Sequence, residues 1–163
     1  MPSTEAAARV QLRFRHRTPE FRTFAGADAL TALPAELDRR GVRRAVIVTS
    51  PSMARHSSGL EAIEAAAGDR LAGRFTGVQP HSPIGVVRAV RDYLAETDAD
   101  SVVAVGGGSA VVTARAAVIV LGEGRDVREL CTRRDESGQL VSPRVRAPKL
   151  PIWVVPSTPT TAY

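Results

Sequence analysis

Residues 101–109, SVVAVGGGS, join an apolar run of strand type to three consecutive glycines, and a long apolar helical pattern starts directly after them. No other stretch restricts the fold as much. A continuous apolar strand is the kind that is buried on both faces in a parallel sheet, and a strand followed at once by a helix is half of a βαβ unit. The glycines also make the junction chemically open. Without Cβ atoms the backbone N–H groups can approach an anion closely, and the free N–H groups and dipole of the following helix favour negative charge there. A nucleotide phosphate suits such a turn. A tight strand-to-helix turn with no ligand is the alternative that the local sequence leaves open.

The rest of the chain extends the same pattern. Residues 44–49 (RAVIVT) form a second continuous apolar run, closed by a turn at Ser50 and Pro51. Its carboxyl end is a place where a ligand would be met. Residues 70–78 (RLAGRFTGV) read as a weaker strand interrupted by two glycines, and residues 151–155 (PIWVV) as a last short one. Between them lie an alanine-rich helical segment at 59–67 and a helix that Ser82 caps and Pro83 opens, with Val87, Val90 and Leu94 on its buried face. The helix after the glycines, 109–121, is stopped by Gly122 and Gly124. It is apolar nearly all round, which predicts neighbours on several sides.

Near the amino terminus, residues 27–40 carry Leu30, Leu33 and Leu37 on one helical face, with a break or restart at Pro34. Residues 10–15 and 21–25 alternate apolar and charged side chains, as an antiparallel hairpin would. Residues 126–149 read as a long loop, with or without a short helix. The expected architecture is therefore α/β: a Rossmann-like parallel sheet flanked by helices, preceded by an amino-terminal β-hairpin.

Composition removes several classes of function. A chain of 163 residues is the size of one domain, and with aromatics at only 4% its core should be aliphatic. The net charge of +5 comes from arginines dispersed among acids with no interleaved aromatic platform, so a solvated basic surface is expected and nucleic acid is not. No apolar run reaches the roughly 20 residues that span a membrane. Cys131 is alone and the amino terminus lacks a secretory apolar region, so a cytoplasmic location is expected and Cys131 reads as an ordinary free thiol.

Two standard phosphate motifs fail. The dinucleotide fingerprint needs a glycine three residues after its second, where this chain has Val111, and a GxxxxGKS loop needs a lysine after the glycines. The three histidines, His16, His56 and His81, show neither helical pair spacing nor clustered acids, so no metal site is expected. The hydroxyl-rich ending has no neighbouring base in sequence, and nucleophilic catalysis is not indicated.

Five segments in order, FAGADAL, RRAVIVTS, VQPHSP, DADSVVAVGGGS and PIWVVPSTPTTA, resemble the amino-terminal half of the iron-containing alcohol dehydrogenase family, which includes the maleylacetate reductases. The resemblance implies an amino-terminal domain, residues 1–163, that binds NAD or NADP. It implies a separate carboxyl-terminal helical domain that supplies an Asp and three His to a divalent metal, iron or zinc, with the active site between the two. In the complete enzyme the metal polarises the substrate oxygen and the nicotinamide exchanges a hydride. Carried onto this sequence, the resemblance assigns Gly106, Gly107, Gly108 and Ser109 to the pyrophosphate. Ser157 and Thr158 match paired threonines beside the cofactor, and His81 matches a loop position near it.

Three departures qualify the match. Val112 and Arg115 replace the family's Asp and Lys in GGGSxxDxAK. Ser50 stands where the strand often ends in Asp; a carboxylate there accepts a ribose 2′-hydroxyl and repels a 2′-phosphate, so its absence permits NADP. Arg55 and His56 are the nearby cations able to pair with that phosphate, or else are plain surface residues of a turn. The family's PTTAGTGSE becomes PSTPTTAY at the end of the chain, so the metal-binding domain is expected in cis beyond it or in trans on another polypeptide.

The expected function is thus the dinucleotide-binding half of a metal-dependent alcohol dehydrogenase or maleylacetate-reductase-like oxidoreductase, inactive by itself. The apolar helix would favour self-association as a homodimer, or a partner chain. The alternatives are a non-catalytic nucleotide-binding or interaction module and one chain of a split enzyme.

Overall fold

The two apolar runs pair with each other. In the computed structural model, which describes residues 21–55 and 58–159, the elements in chain order are α1 (Leu33–Arg39), β1 (Ala45–Thr49), α2 (Pro51–Arg55), α3 (Ser58–Ala67), β2 (Leu71–Phe75), α4 (Ile84–Glu96), β3 (Ser101–Gly106), α5 (Gly108–Glu123), β4 (Arg133–Arg134), β5 (Leu140–Val141) and β6 (Ile152–Pro156). Strands β1 and β3 are parallel and in register from Ala45 opposite Ser101 to Thr49 opposite Val105. All their residues are buried. Strand β2 joins the free side of β1 and β6 the free side of β3, giving a four-stranded parallel sheet in the order β2-β1-β3-β6.

Alternate residues of the central strands supply two cores. Val46, Val48, Val102 and Ala104 pack with Val87, Val90 and Leu94 of α4 and with Ala114, Ala117 and Val118 of α5. On the opposite face, Ala45, Ile47, Val103 and Val105 pack with Leu37 of α1 and with Leu60 and Ile63 of α3. Both sheet faces are covered, which is why neither strand alternates apolar with polar. Every buried apolar side chain described is aliphatic, as the composition implied.

The edges of the helices are held by specific polar contacts. A short 3₁₀ helix, Ala29–Ala32, leads into α1, and Pro34 sits in the first turn of α1, where a missing N–H costs nothing. The Arg44 guanidinium donates to the Thr97 carbonyl at 2.7 and 2.9 Å, capping the carboxyl end of α4 with positive charge. Gly124 ends α5 in the left-handed conformation, φ 62°.

Several local expectations are corrected. Residues 21–25 form no strand, while residues 10–15, the other arm of the expected hairpin, lie outside the described residues. Ser82 does not cap α4: Pro83 is the N-cap, and the Ser82 hydroxyl donates instead to the Ser109 carbonyl at 3.2 Å. Gly122 lies inside α5 and does not stop it. A Cβ there would come within 2.6 Å of the Pro148 carbonyl oxygen, so glycine is needed for the returning chain to pass. Ser50 and Pro51 lead straight into α2. Residues 126–149 contain a 3₁₀ turn, Val127–Leu130, and the small β4–β5 hairpin. The sheet and α4 cover most of α5, leaving Val112 as its one large apolar side chain among the described exposed ones.

Candidate functional site

The order of the strands creates a crevice. From β1 the chain moves outward to β2, then crosses back over β1 to β3, so successive connections leave β1 and β3 in opposite directions. Loops at the carboxyl ends of such a strand pair diverge, and ligands bind in the gap between them. Here that gap is a cleft of ≈ 460 Å³, within the usual range for small-molecule sites. Gly107, Gly108 and Ser109 form one wall, Ser50, Ser52 and Arg55 another, and Val78, Gln79 and Pro80 a third.

The glycines have separate tasks. Gly106 ends β3 with φ 135°, a conformation that L side chains rarely adopt, and turns the chain into α5. Gly107 is the N-cap with an ordinary extended backbone, φ −80° and ψ −171°, and its carbonyl accepts from the amides of Ala110 (3.0 Å) and Val111 (3.4 Å). The next amides, of Gly108 and Ser109, have no acceptor among the described residues, and both residues line the cleft. Amides left open in this way at the head of a 16-residue helix favour negative charge.

Ser157 and Thr158 are drawn to the same turn. The Ser157 amide donates to the Gly106 carbonyl at 3.1 Å, extending the β3–β6 pairing past its last register pair, and a Cβ on Gly107 would lie 3.2 Å from Thr158 Oγ1. A remote ion pair supports this approach. Lys149 Nζ and the Ala147 amide both donate to Glu123 Oε1, at 2.5 and 2.9 Å, fastening the strand's lead-in to the end of α5. Those bonds, with the Lys149 one foremost, hold the Glu123 carboxyl below its ordinary pKa.

Ser50 follows Thr49 at the mouth of the cleft. Its hydroxyl lies 2.9 Å from that of Ser52 and accepts from the Met53 amide at 3.4 Å. Thr49 itself is buried and donates to the Val105 carbonyl at 2.8 Å, locking the ends of β1 and β3 together. Of the predicted site residues, Ser50, Gly107, Gly108 and Ser109 line the cleft directly; Gly106, Ser157 and Thr158 adjoin the glycine turn without belonging to the lining. His81 is not in the lining. It is exposed, with φ 62°, beside Ser82 at φ 49°.

Gln79 and Pro80, in the same VQPHSP segment as His81, line the cleft although the sequence pattern points only to His81. Their signal is positional: the Val78 amide donates to the Thr49 carbonyl at 3.1 Å, so the exit of β2 is pinned across the end of β1. Among the described residues no group of three or more His, Cys, Asp or Glu converges. These residues do not fit a metal centre. Cys131 is exposed, its thiol donating to the Val127 carbonyl at 3.3 Å, and Trp153 packs half-buried against the α1–α3 core.

The sequence profile of iron-containing alcohol dehydrogenases matches residues 19–163. The chain belongs to that family. It is 39% identical over 84 residues to maleylacetate reductase 1 of Cupriavidus pinatubonensis, covering 52% of this chain and 23% of that protein. It is 31% identical over 140 residues to lactaldehyde reductase of Escherichia coli, covering 84% of this chain and 34% of that one. Among solved structures, the iron-containing alcohol dehydrogenase of Thermococcus thioreducens superposes with a TM-score of 0.67 at 25% identity, over 84% of this chain and 35% of the other. The chain thus spans between 23% and 34% of these two curated relatives' length. No described helix is long and apolar enough to cross a membrane.

Proposed function

We propose that this chain is the part of an NAD(P)-dependent oxidoreductase that binds and orients the dinucleotide, the whole protein interconverting an alcohol and a carbonyl compound. The observation that carries the reading is the amide pair of Gly108 and Ser109, without an acceptor among the described residues and opening onto a cleft at the sheet's switch point. In the reading, those amides and the helix dipole hold the pyrophosphate, the Thr158 hydroxyl lies over Gly107 within reach of phosphate or ribose oxygens, and the Ser50 hydroxyl faces the ribose at the other wall. When bound, the nicotinamide supplies or accepts the hydride.

The chain's own work is positioning. The Ser157 amide on the Gly106 carbonyl and the Thr49 hydroxyl on the Val105 carbonyl fix the two sides of the cleft relative to each other, so the cofactor meets a prearranged site. The described residues bring together no set of side chains that would hold a metal ion. A carboxyl-terminal domain, in cis or in trans, would bring metal and substrate, and a cytoplasmic setting suits a soluble cofactor of this kind.

Titration with NADH and NADPH, followed by nicotinamide fluorescence, tests the reading. Saturable binding that ADP-ribose displaces is expected; no binding of either dinucleotide would overturn it. We also infer that the 163-residue polypeptide alone does not transfer hydride, which metal-dependent turnover by it would refute.

A further inference from the structure

The segment between β2 and α4 carries Gln79 and Pro80 of the cleft's lining, and little holds it where it stands. It leaves β2 at Val78, whose amide is pinned to the Thr49 carbonyl, and enters α4 after Pro83. In between, His81 and Ser82 both have left-handed backbones, φ 62° and 49°. Two such residues in succession, neither of them glycine, are strained, and strain of this kind persists only where surrounding contacts hold it. Among the described residues one hydrogen bond ties residues 79–82 to another element: the Ser82 hydroxyl donates to the Ser109 carbonyl at 3.2 Å.

That tie lands on a residue of the opposite wall, so it fixes Gln79 and Pro80 relative to the glycine turn. It also takes an acceptor that a neighbour would otherwise use. Thr113 follows Ser109 by four residues in α5, and a threonine inside a helix ordinarily donates its hydroxyl to a carbonyl three or four residues back. The Ser109 carbonyl has two lone pairs, one for the helical amide four residues on and one that Ser82 occupies. Thr113 is fully buried, and its hydroxyl has no hydrogen-bond partner among the described residues. A buried hydroxyl left in that state costs stability, which a bond to the Ser109 carbonyl would recover.

We infer that Ser82 is a positioning residue for the cleft, holding the strained 79–82 segment against the glycine turn, and that Thr113 takes over the Ser109 carbonyl when that segment lifts. The closed state presents two walls at a fixed separation and carries both the backbone strain and the orphaned hydroxyl. The lifted state relieves both and widens the cleft. What the cleft holds rests on the dinucleotide-binding reading above; the exchange of hydrogen-bond partners does not.

The test compares the full protein with S82A, T113V and the double variant by NADH and NADPH titration, stopped-flow dissociation and thermal melting. S82A should bind about tenfold more weakly, with the loss in the dissociation rate. It should melt no lower than the parent, because Thr113 gains the freed lone pair and the backbone relaxes. T113V replaces the orphaned hydroxyl with a methyl of the same shape, so it should melt higher than the parent and bind as the parent does. In the T113V background S82A should lower the melting temperature, since no hydroxyl remains to take the carbonyl. Parent-like affinity in S82A overturns the positioning role. An equal drop in melting temperature from S82A in both backgrounds overturns the exchange of partners. If the parent binds neither NADH nor NADPH, the reading on which the positioning role stands fails, and the melting temperatures still decide the exchange.

Discussion

Gly106 and Gly107 are adjacent, yet they should fail for different reasons when given a methyl group. At Gly106 the backbone has φ 135°, and a Cβ would meet Ala110 Cβ at 3.3 Å and Met53 Cγ at 3.8 Å. Holding alanine in such a conformation costs about 1–3 kcal/mol, and the tight contact with Ala110 adds to it. G106A should therefore lose about 2–3 kcal/mol, a fall in Tm of roughly 4–12 °C for a domain of this size. Gly107 has an ordinary backbone, and the Thr158 hydroxyl, 3.2 Å from the built Cβ, is exposed and able to give way. G107A should stay within about 1 kcal/mol of the parent, since alanine also restricts the unfolded chain.

Binding should show the opposite contrast. On the proposed reading, a methyl on Gly107 would hold the pyrophosphate off the Gly108 and Ser109 amides, and losing one or two charge-assisted hydrogen bonds would cost about 3 kcal/mol, roughly a hundredfold in affinity. Urea denaturation monitored by circular dichroism and NAD(P)H titration measure the two effects separately. Unchanged stability in G106A would refute the conformational argument, and parent-like affinity in G107A would refute the close-approach argument.

Other perturbations probe the scaffold. G73A should destabilise the sheet edge by about 1–3 kcal/mol because its Cβ would collide with the Tyr93 hydroxyl, and adding Y93F should recover much of the loss. The Glu36 carboxyl, hydrogen-bonded by Arg39 and close to Arg22, sits below its ordinary pKa of 4.5. A group whose folded pKa is lowered contributes stability above its unfolded pKa and loses it as pH falls through the folded value. Stability should therefore decline as pH drops below 4.5, with a shallower decline in E36Q, measured as Tm against pH. E123A should release the chain leading into β6, lowering Tm and exposing the Ala147 amide to hydrogen exchange; unchanged exchange would show that the Lys149 and Ala147 contacts do not hold that segment.

The sheet was legible because its two central strands are continuous apolar runs, a pattern that only two-sided burial explains. The glycine turn was legible for a related reason: residue type there is dictated by backbone conformation and the space left for a neighbour. Less visible were features settled by distant segments. Ser82 looked like a cap because it precedes a proline and a helix, but its hydroxyl found the Ser109 carbonyl on another helix. Gly122 looked like a stop signal, and its actual partner is Pro148, on the returning chain.

The sequence alone determined that residues 101–109 form a strand, an open turn and a helix, since burial and glycine chemistry are local demands. Only the tertiary structure decided what faces that turn. The pairing of β1 with β3 set Ser50 and Arg55 across from the glycines, and the exit of β2 brought Gln79 and Pro80 over them while His81 stayed outside. Strand order and register join residues some fifty positions apart, and no local pattern encodes which strands will be neighbours.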